Sequence, residues 1–166
     1  MNSERSVGRV HQINVKPESA GERGLPKHPV NRVAVKKTGL IGDFNRWRHE
    51  EAHDDPRSAV LIMPLEMIQE LNHEGLRIQP GDIGENFTTV GIPYDSFAPG
   101  KRYSIGGAVI KITKPCDPCN NLYVLPNIGK GKDIVKAMYQ RRGWYASVEQ
   151  EGNVLEGDNI KELPQE

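Results

Sequence analysis

Two cysteines, Cys116 and Cys119, are the side chains of this sequence best suited to nucleophilic or metal chemistry. They follow an apolar run, within the segment Lys114-Pro115-Cys116-Asp117-Pro118-Cys119. Each proline fixes its own backbone angle and restricts the residue before it. We therefore expect a stiff loop that can aim a thiol into a cavity. Lys114 is close in sequence and would favour the thiolate, the form of cysteine that attacks and binds metals.

The same pair of cysteines allows three other interpretations. A redox dithiol normally stands at the start of a helix in a βαβ unit, and the sequence shows no such unit. A structural zinc site needs about four ligands, and no second close pair of Cys or His is present. Inert structural thiols are the third alternative. From the residues alone these alternatives stay open beside a single working cysteine.

A second candidate is the stretch Gly81-Asp82-Ile83-Gly84-Glu85-Asn86-Phe87-Thr88-Thr89. Its polar side chains could line a pocket, in which Asn86 would offer both an amide donor and a carbonyl acceptor. The alternative is a turn followed by a strand, with Glu85 binding local backbone groups. Composition by itself favours the turn and strand.

Basic residues of the C-terminal half form a third candidate, a phosphate clamp, because the arginine fork suits two phosphate oxygens. The alternative is that the arginines at the end of a predicted helix only complement its dipole. The basic residues concerned are Lys101, Arg102, Lys114, Lys130, Lys132, Arg141 and Arg142.

The segment His49-Glu50-Glu51-Ala52-His53 formally matches the short zinc-protease motif, in which two histidines and a glutamate share one helix face. The segment is very polar, whereas a zinc-binding helix carries an apolar face, and Pro56 follows soon after. A zinc protease is therefore a runner-up interpretation.

The elements that must position these residues are mostly strands. Seventeen glycines and twelve prolines indicate many turns, and short apolar or alternating runs between turns favour a β-barrel or sandwich. We predict strands at 7–15, 31–37, 58–63, 108–113, 144–149 and 154–160, the last two joined by a hairpin-like turn at Glu151-Gly152-Asn153. Helices are predicted at 64–74 and 132–142 from apolar spacing and from the glycine after each.

Length and composition set the class. A chain of 166 residues suits one domain, with a core at about 7–162. Basic and acidic residues number 22 each, so there is no global field to hold nucleic acid. No apolar run approaches the roughly 18 residues of a membrane span. Residues 1–6 lack the apolar core of a secretory signal, so we expect a cytoplasmic protein.

Taken together, the motifs resemble the MOSC family, the molybdenum-cofactor-sulfurase C-terminal domain, in its stand-alone bacterial form. The resemblance covers nearly the whole chain and keeps the order of the motifs. The matching segments are Val7-Gly8-Arg9-Val10-His11-Gln12-Ile13, Pro26-Lys27-His28-Pro29-Val30, Gly39-Leu40-Ile41-Gly42-Asp43, Ala59-Val60-Leu61, 81–89, Ile105-Gly106-Gly107-Ala108, Pro118-Cys119-Asn120-Asn121-Leu122, Arg142-Gly143-Trp144-Tyr145 and Glu156-Gly157-Asp158.

The resemblance implies a mainly β (α+β) fold, a β-barrel with a few covering helices, and one reactive cysteine, Cys119. Family members bind the molybdenum cofactor, handle sulfur for it, or reduce N-hydroxylated compounds. On this basis Cys119 would carry a persulfide or ligate molybdenum. Asn86 and Thr88 would line the pocket, and Arg142 and Lys114 would hold the cofactor phosphate.

The resemblance also limits what we expect. The chain lacks the aminotransferase-like domain of the large sulfurases, so pyridoxal phosphate is not expected. Expected partners are a small-molecule cofactor or substrate, and a cysteine desulfurase or a molybdoenzyme. Two features depart from the family pattern: His49-Glu50-Glu51 and His53-Asp54-Asp55 stand where the family often has His-Gly-Gly, and Cys116 is additional.

Three hypotheses for the function therefore stay open. In the first, the chain is a molybdenum-cofactor-dependent oxidoreductase or sulfurtransferase, with Cys116 as a possible redox partner. Alternatively, it is a non-catalytic module that delivers sulfur or cofactor to another enzyme. A zinc-bound CxxC structural domain is the third.

Overall fold

The structure is a computed structural model that describes residues 6–18, 24–50, 52–126, 128–129 and 131–165, with only the backbone of residues 46 and 47. The described residues form eleven strands and three α-helices. The strands are β1 Ser6–Val15, β2 His28–Val30, β3 Arg32–Lys36, β4 Gly39–Leu40, β5 Val60–Pro64, β6 Phe87–Val90, β7 Arg102–Ile105, β8 Ala108–Pro115, β9 Trp144–Gln150, β10 Gly152–Leu155 and β11 Asn159–Leu163. The helices are α1 Arg46–Glu50, α2 Leu65–His73 and α3 Ile134–Ala137, and short 3₁₀ segments lie at Pro56–Ser58, Tyr94–Ser96 and Asn120–Val124.

Seven strands close into a barrel in the order β11-β7-β8-β9-β5-β6-β1, because β1 also pairs with β11. Neighbouring strands are antiparallel except β5 and β6, which are parallel. Strand β2 extends the sheet beside β1, and β10, β3 and β4 form a separate small sheet. Closure leaves few unpaired strand edges. The predicted β-barrel with a few covering helices is confirmed.

Alternating apolar side chains of the barrel strands fill one large core. Ile13, Phe87 and Ile105 are fully buried there, and Val35 and Val154 of the small sheet pack into the same cluster. This is the pattern expected of strands with one buried face. A second cluster lies beneath α2 and includes Ile68 and Leu71, two of the apolar positions that predicted this helix.

The second predicted helix, at 132–142, is much shorter than expected. Asp133 caps α3 by accepting from the backbone N–H groups of Val135 and Lys136, and the helix ends at Ala137. Gln140 has φ 61°, which interrupts helical geometry before Gly143. The apolar spacing at Ile134 and Met138 therefore marks buried positions rather than a continuous helix.

The predicted hairpin across Glu151-Gly152-Asn153 is wrong. Strand β10 pairs with β3 of the small sheet instead of returning along β9. The predicted strand at 154–160 is in fact two strands, split by a turn in which the Asp158 carboxylate accepts from the Leu155 N–H. Strand β11 then enters the barrel. Short turns show where the chain bends, but they do not show which strand it joins.

None of the described helices is long and apolar enough to cross a membrane.

Candidate functional site

A cavity of about 490 Å³ opens where β8 ends and β9 begins. The loop that follows β8 forms one wall. The segment around Ile83 and Gly84 forms another, together with Lys27 and Phe44 from the N-terminal half. Backbone pairing sets the position of this loop, because the Cys116 N–H donates to the Gly143 carbonyl, 2.9 Å away, just before β9.

Cys119 presents its thiol in this cavity. It is exposed and not in a disulfide, and it stands directly before the 3₁₀ segment Asn120–Val124. A cation lies beside it, because Arg142 Nη1 is 3.5 Å from the Cys119 sulfur. An accessible cysteine next to an arginine is the setting in which cysteines react.

Arg142 is held in place by two backbone carbonyls. Its Nη1 also donates to Asp117 O at 3.2 Å, and its Nη2 donates to Ile83 O at 3.1 Å. The side chain is only 8% exposed. Arg142 therefore ties the cysteine loop to the segment that precedes β6, and it keeps its charge beside the Cys119 sulfur.

The main chain after Arg142 is fixed by Tyr94. The hydroxyl of Tyr94 accepts from the Gly143 N–H at 2.9 Å and donates to the Gly143 carbonyl at 3.3 Å. Gly143 has φ +112°, and a Cβ there would lie 2.5 Å from Ile62 O. A glycine is required at this position both by the backbone angle and by the close approach of β5.

Cys116 differs sharply from Cys119 because it is buried, with 2% exposure. Burial raises the pKa of its thiol, and the Arg142 charge and a hydrogen bond with Tyr145 oppose that rise only in part. Its S–H faces Asp117 O at 3.7 Å. The two cysteines thus share Arg142 as a neighbour, but only Cys119 meets solvent.

Lys27 is a cavity residue that the sequence interpretation did not select. It is 4% exposed, and its Nζ lies 2.6 Å from Asp43 Oδ2. Burial lowers the pKa of the Lys27 ammonium, and the Asp43 carboxylate opposes this. The signal was present in Pro26-Lys27-His28-Pro29-Val30, but nothing local shows that this lysine faces the cysteine loop.

Asn86 and Thr88 lie behind the cavity and are not among its lining residues. Asn86 Nδ2 donates to Asp43 Oδ2 at 2.9 Å, and Asn86 Oδ1 accepts from the Leu61 N–H at 3.0 Å. Asn86 therefore orients the Asp43 carboxylate that holds Lys27. In this structure it supports a cavity residue rather than lining the cavity.

Thr88 belongs to a second buried contact, with Glu85. The hydroxyl of Thr88 donates to Glu85 Oε2 at 3.0 Å, and Glu85 Oε1 accepts from the Gly81 N–H at 3.0 Å. Burial raises the pKa of Glu85 to about 7, against the effect of these hydrogen bonds. The contacts match the turn-and-strand alternative, with Glu85 binding local backbone and β6 following.

Of the seven basic residues singled out from the sequence, Lys114 and Arg142 line the cavity. The Lys114 ammonium lies 5.6 Å from the centroid of the Tyr145 ring. Arg141 turns away and pairs with Glu74, and Lys101 pairs with Glu162. Lys130 lies outside the described residues.

The zinc-protease interpretation of His49, Glu50 and His53 is wrong. Helix α1 ends at Glu50, and His53 has φ 52°, so the two histidines do not share a helix face. His49 Nδ1 instead lies 3.1 Å from Asp54 Oδ2. Within the described ranges no three His, Cys, Asp or Glu residues group as metal ligands, which leaves Cys116 and Cys119 without the further ligands of a zinc site.

Comparison with known proteins relates the chain to one family. The family model described as the MOSC domain matches residues 49–161, about two-thirds of the chain. Among solved structures, YiiM from Geobacillus stearothermophilus is 28% identical, with a TM-score of 0.70, over 95% of this chain and 75% of that one.

Two further structures show the same fold. The YuaD protein from Bacillus subtilis is 20% identical over 97% of both chains, with a TM-score of 0.75. YiiM from Escherichia coli is 22% identical over 95% of this chain and 71% of that one, with a TM-score of 0.69. Comparison with curated proteins gives no match.

Proposed function

Since this chain belongs to the MOSC domain family, we propose that it acts in molybdenum-cofactor chemistry, with Cys119 as the thiolate that carries sulfur or binds molybdenum. One observation carries the proposal: an accessible thiol opens into a cavity with a buried guanidinium 3.5 Å from its sulfur. Sulfur transfer and metal ligation both need negative charge on sulfur, and the Arg142 charge stabilises it there.

The residues around the cavity fit such a cofactor. A volume of about 490 Å³ lies within the roughly 300–1,000 Å³ of small-molecule sites. A thiolate is a soft ligand, suited to soft metals and to sulfane sulfur. The buried nitrogen Nε of Arg142 has no hydrogen-bond partner among the described residues. A bound polar group that satisfied it would remove a desolvation penalty.

Each cation would have its own role toward an anionic cofactor. Arg142 is held by two carbonyls, so its charge acts mainly at the sulfur. Lys27 and Lys114 line other parts of the cavity and are the side chains we assign to the phosphate. When bound, the cofactor would supply the electron transfer to an N-oxygenated substrate, and the protein would orient both.

The test is to purify the protein from a host that makes the cofactor, beside Cys119→Ala. Molybdenum per chain, pterin fluorescence and persulfide on Cys119 are measured. We expect the wild type to carry cofactor or persulfide and the variant to lose it. Because Cys119 is exposed, the variant should unfold at the same temperature, which separates loss of the ligand from loss of the fold. A wild type that carries neither would refute the proposal.

A non-catalytic delivery module is the second candidate, and the exposure of Cys119 favours it. An exposed sulfur is accessible to the thiol of a cysteine desulfurase or to an acceptor molybdoenzyme. Turnover of N-hydroxylated bases by the isolated, cofactor-loaded protein distinguishes the two. Turnover that is lost in Cys119→Ala supports an enzyme. Cofactor or sulfur transfer to a partner without turnover supports the delivery module.

A further inference from the structure

A second thiol, Cys116, lies between the cavity-lining residues Pro115 and Asp117 without lining the cavity itself, and the proposed function assigns it no role. Cys116 is reduced and buried, three residues before the exposed Cys119. A buried cysteine is ordinarily inert packing. Cys116 packs with Leu61 and Tyr145, but it differs from such a cysteine because its sulfur also has polar neighbours, the Asp117 carbonyl and the Arg142 charge.

Contacts connect the two sulfurs through one carbonyl and one guanidinium. The Cys116 S–H faces Asp117 O at 3.7 Å, and Arg142 Nη1 lies 3.2 Å from the same oxygen. The same Nη1 lies 3.5 Å from the Cys119 sulfur. Tyr145 also forms a hydrogen bond with Cys116. Both thiols therefore face the charge of Arg142, which stabilises negative charge on either.

Their unequal exposure sets an order of reaction. A sulfur donor reaches Cys119 first, because Cys116 is only 2% exposed. Pro118 restricts the loop between the thiols, and Pro115 fixes the backbone directly before Cys116, so both thiols stay near Arg142. An intramolecular thiol of this kind reacts at a high effective concentration.

We propose that Cys116 is a resolving thiol that releases sulfur from a Cys119 persulfide as hydrogen sulfide. The inference rests on the sulfur-carrying form of the proposed function. The Cys116 sulfur attacks the inner sulfur of the persulfide, Cys119 Sγ, and a Cys116–Cys119 disulfide forms as the bond to the outer sulfur breaks. The outer sulfur takes the bonding electron pair and the Cys116 proton and leaves as hydrogen sulfide.

The step balances in electrons. The outer sulfur is reduced by two electrons, and the two cysteine thiols are oxidised to one disulfide. A low-molecular-weight dithiol then reduces the disulfide and restores both cysteines. The protein would then release free hydrogen sulfide, in addition to holding a persulfide for transfer to an acceptor thiol.

The experiment loads the reduced protein with inorganic polysulfide, removes the excess quickly, and follows sulfide release without added thiol. Wild type is compared with Cys116→Ala and Cys116→Ser, of which serine keeps a polar group toward Tyr145, and with Cys119→Ala. Intact mass reports the added sulfur. Peptide mapping after alkylation reports the disulfide.

We expect wild type to release about one sulfide per loaded chain and to gain the Cys116–Cys119 disulfide. Both Cys116 variants should release sulfide at least about tenfold more slowly. Equal release from wild type and a folded Cys116 variant, with Cys119 loaded in both, would overturn the inference alone. If neither Cys116 variant folds, a loaded wild type without the disulfide overturns it. No added sulfur on Cys119 would refute the sulfur-carrying function as well.

Discussion

At the scale of single residues, the site depends on one arginine that makes three contacts. Arg142 donates to Asp117 O and Ile83 O and approaches the Cys119 sulfur. A phosphate clamp would need both terminal nitrogens of the fork free, and here each of them donates to a backbone carbonyl. Arg142 therefore positions and polarises Cys119. In our proposal, Lys27 and Lys114 bind the phosphate instead.

Replacing Arg142 with methionine tests this role. The change leaves two carbonyls unpaired in a buried place and should lower the free energy of unfolding by about 3 kcal/mol. It should also slow alkylation of Cys119 by iodoacetamide, because the sulfur loses its cation. Urea denaturation and the alkylation rate measure the two effects.

Arg141→Met is the matched control, because Arg141 pairs with Glu74 at the surface. An exposed pair is screened by solvent, so this variant should lose less stability and keep the wild-type alkylation rate. Equal alkylation rates in Arg142→Met and wild type would contradict the assigned role.

At the scale of elements, the site is formed where β8 and β9 meet their neighbours. Strand β5 packs so closely on the start of β9 that Gly143 has no room for a side chain. Strand β6 is preceded by a turn in which the buried carboxyl of Glu85 binds Gly81 N–H and the Thr88 hydroxyl. These two junctions hold the loops that carry Arg142 and Ile83 O.

Gly143→Ala tests the first junction. The new Cβ would lie 2.5 Å from Ile62 O at φ +112°, so β5 and β9 must move apart. We expect a loss of about 3 kcal/mol in the free energy of unfolding, measured with urea.

Gly157→Ala is its matched control. Gly157 also has positive φ, +87°, but nothing lies within 4 Å of its Cβ position, so only the backbone cost of about 1 kcal/mol applies. Similar losses in the two variants would show that the close approach of β5 contributes nothing.

Glu85→Gln tests the second junction through pH. A carboxyl whose pKa rises from 4.5 to about 7 on folding binds its proton more tightly in the folded protein. Its contribution to stability is therefore complete at low pH and is lost as pH rises through this interval. Between about pH 4 and pH 8 the wild type should lose about 3 kcal/mol relative to the glutamine variant. Urea denaturation at each pH measures this difference. If the free energy of unfolding depended on pH in the same way in wild type and in Glu85→Gln, the prediction would be contradicted.

At the scale of the whole molecule, closure of the barrel connects the two ends of the described chain. Strand β11 pairs with β7 on one side and with β1 on the other. Its Ile160 is 2% exposed within the main core. The last strand therefore completes the sheet that holds β8, β9 and the cysteine loop.

A chain that ends after Asp158 should not fold cooperatively, because β1 and β7 would each lose a partner and the core would open. Thermal unfolding followed by near-ultraviolet circular dichroism measures this. A chain that ends at residue 164 keeps β11 and is the control, with a melting temperature close to wild type. A cooperative transition in the shorter chain would show that closure is dispensable.

The sequence by itself determined the features that depend on near neighbours. Turns at glycines, the strand ending at the cysteine loop and helix α2 follow from local patterns, whereas Cys119 was singled out over Cys116 only by the family resemblance. The ordered motifs also placed the chain in its family. Such features need only the periodicity of side chains and the backbone limits of glycine and proline.

Only the tertiary structure decided which distant residues meet. Arg142 reaches Cys119 across 23 positions of sequence, Lys27 enters the cavity, and Asn86 turns inward to Asp43 instead of lining it. Strand β10 joins β3 rather than β9. The physical reason is the same in each case. Strand pairing and side-chain burial depend on the closed barrel as a whole. A local sequence pattern does not show which distant strand or side chain will lie next to it in that barrel.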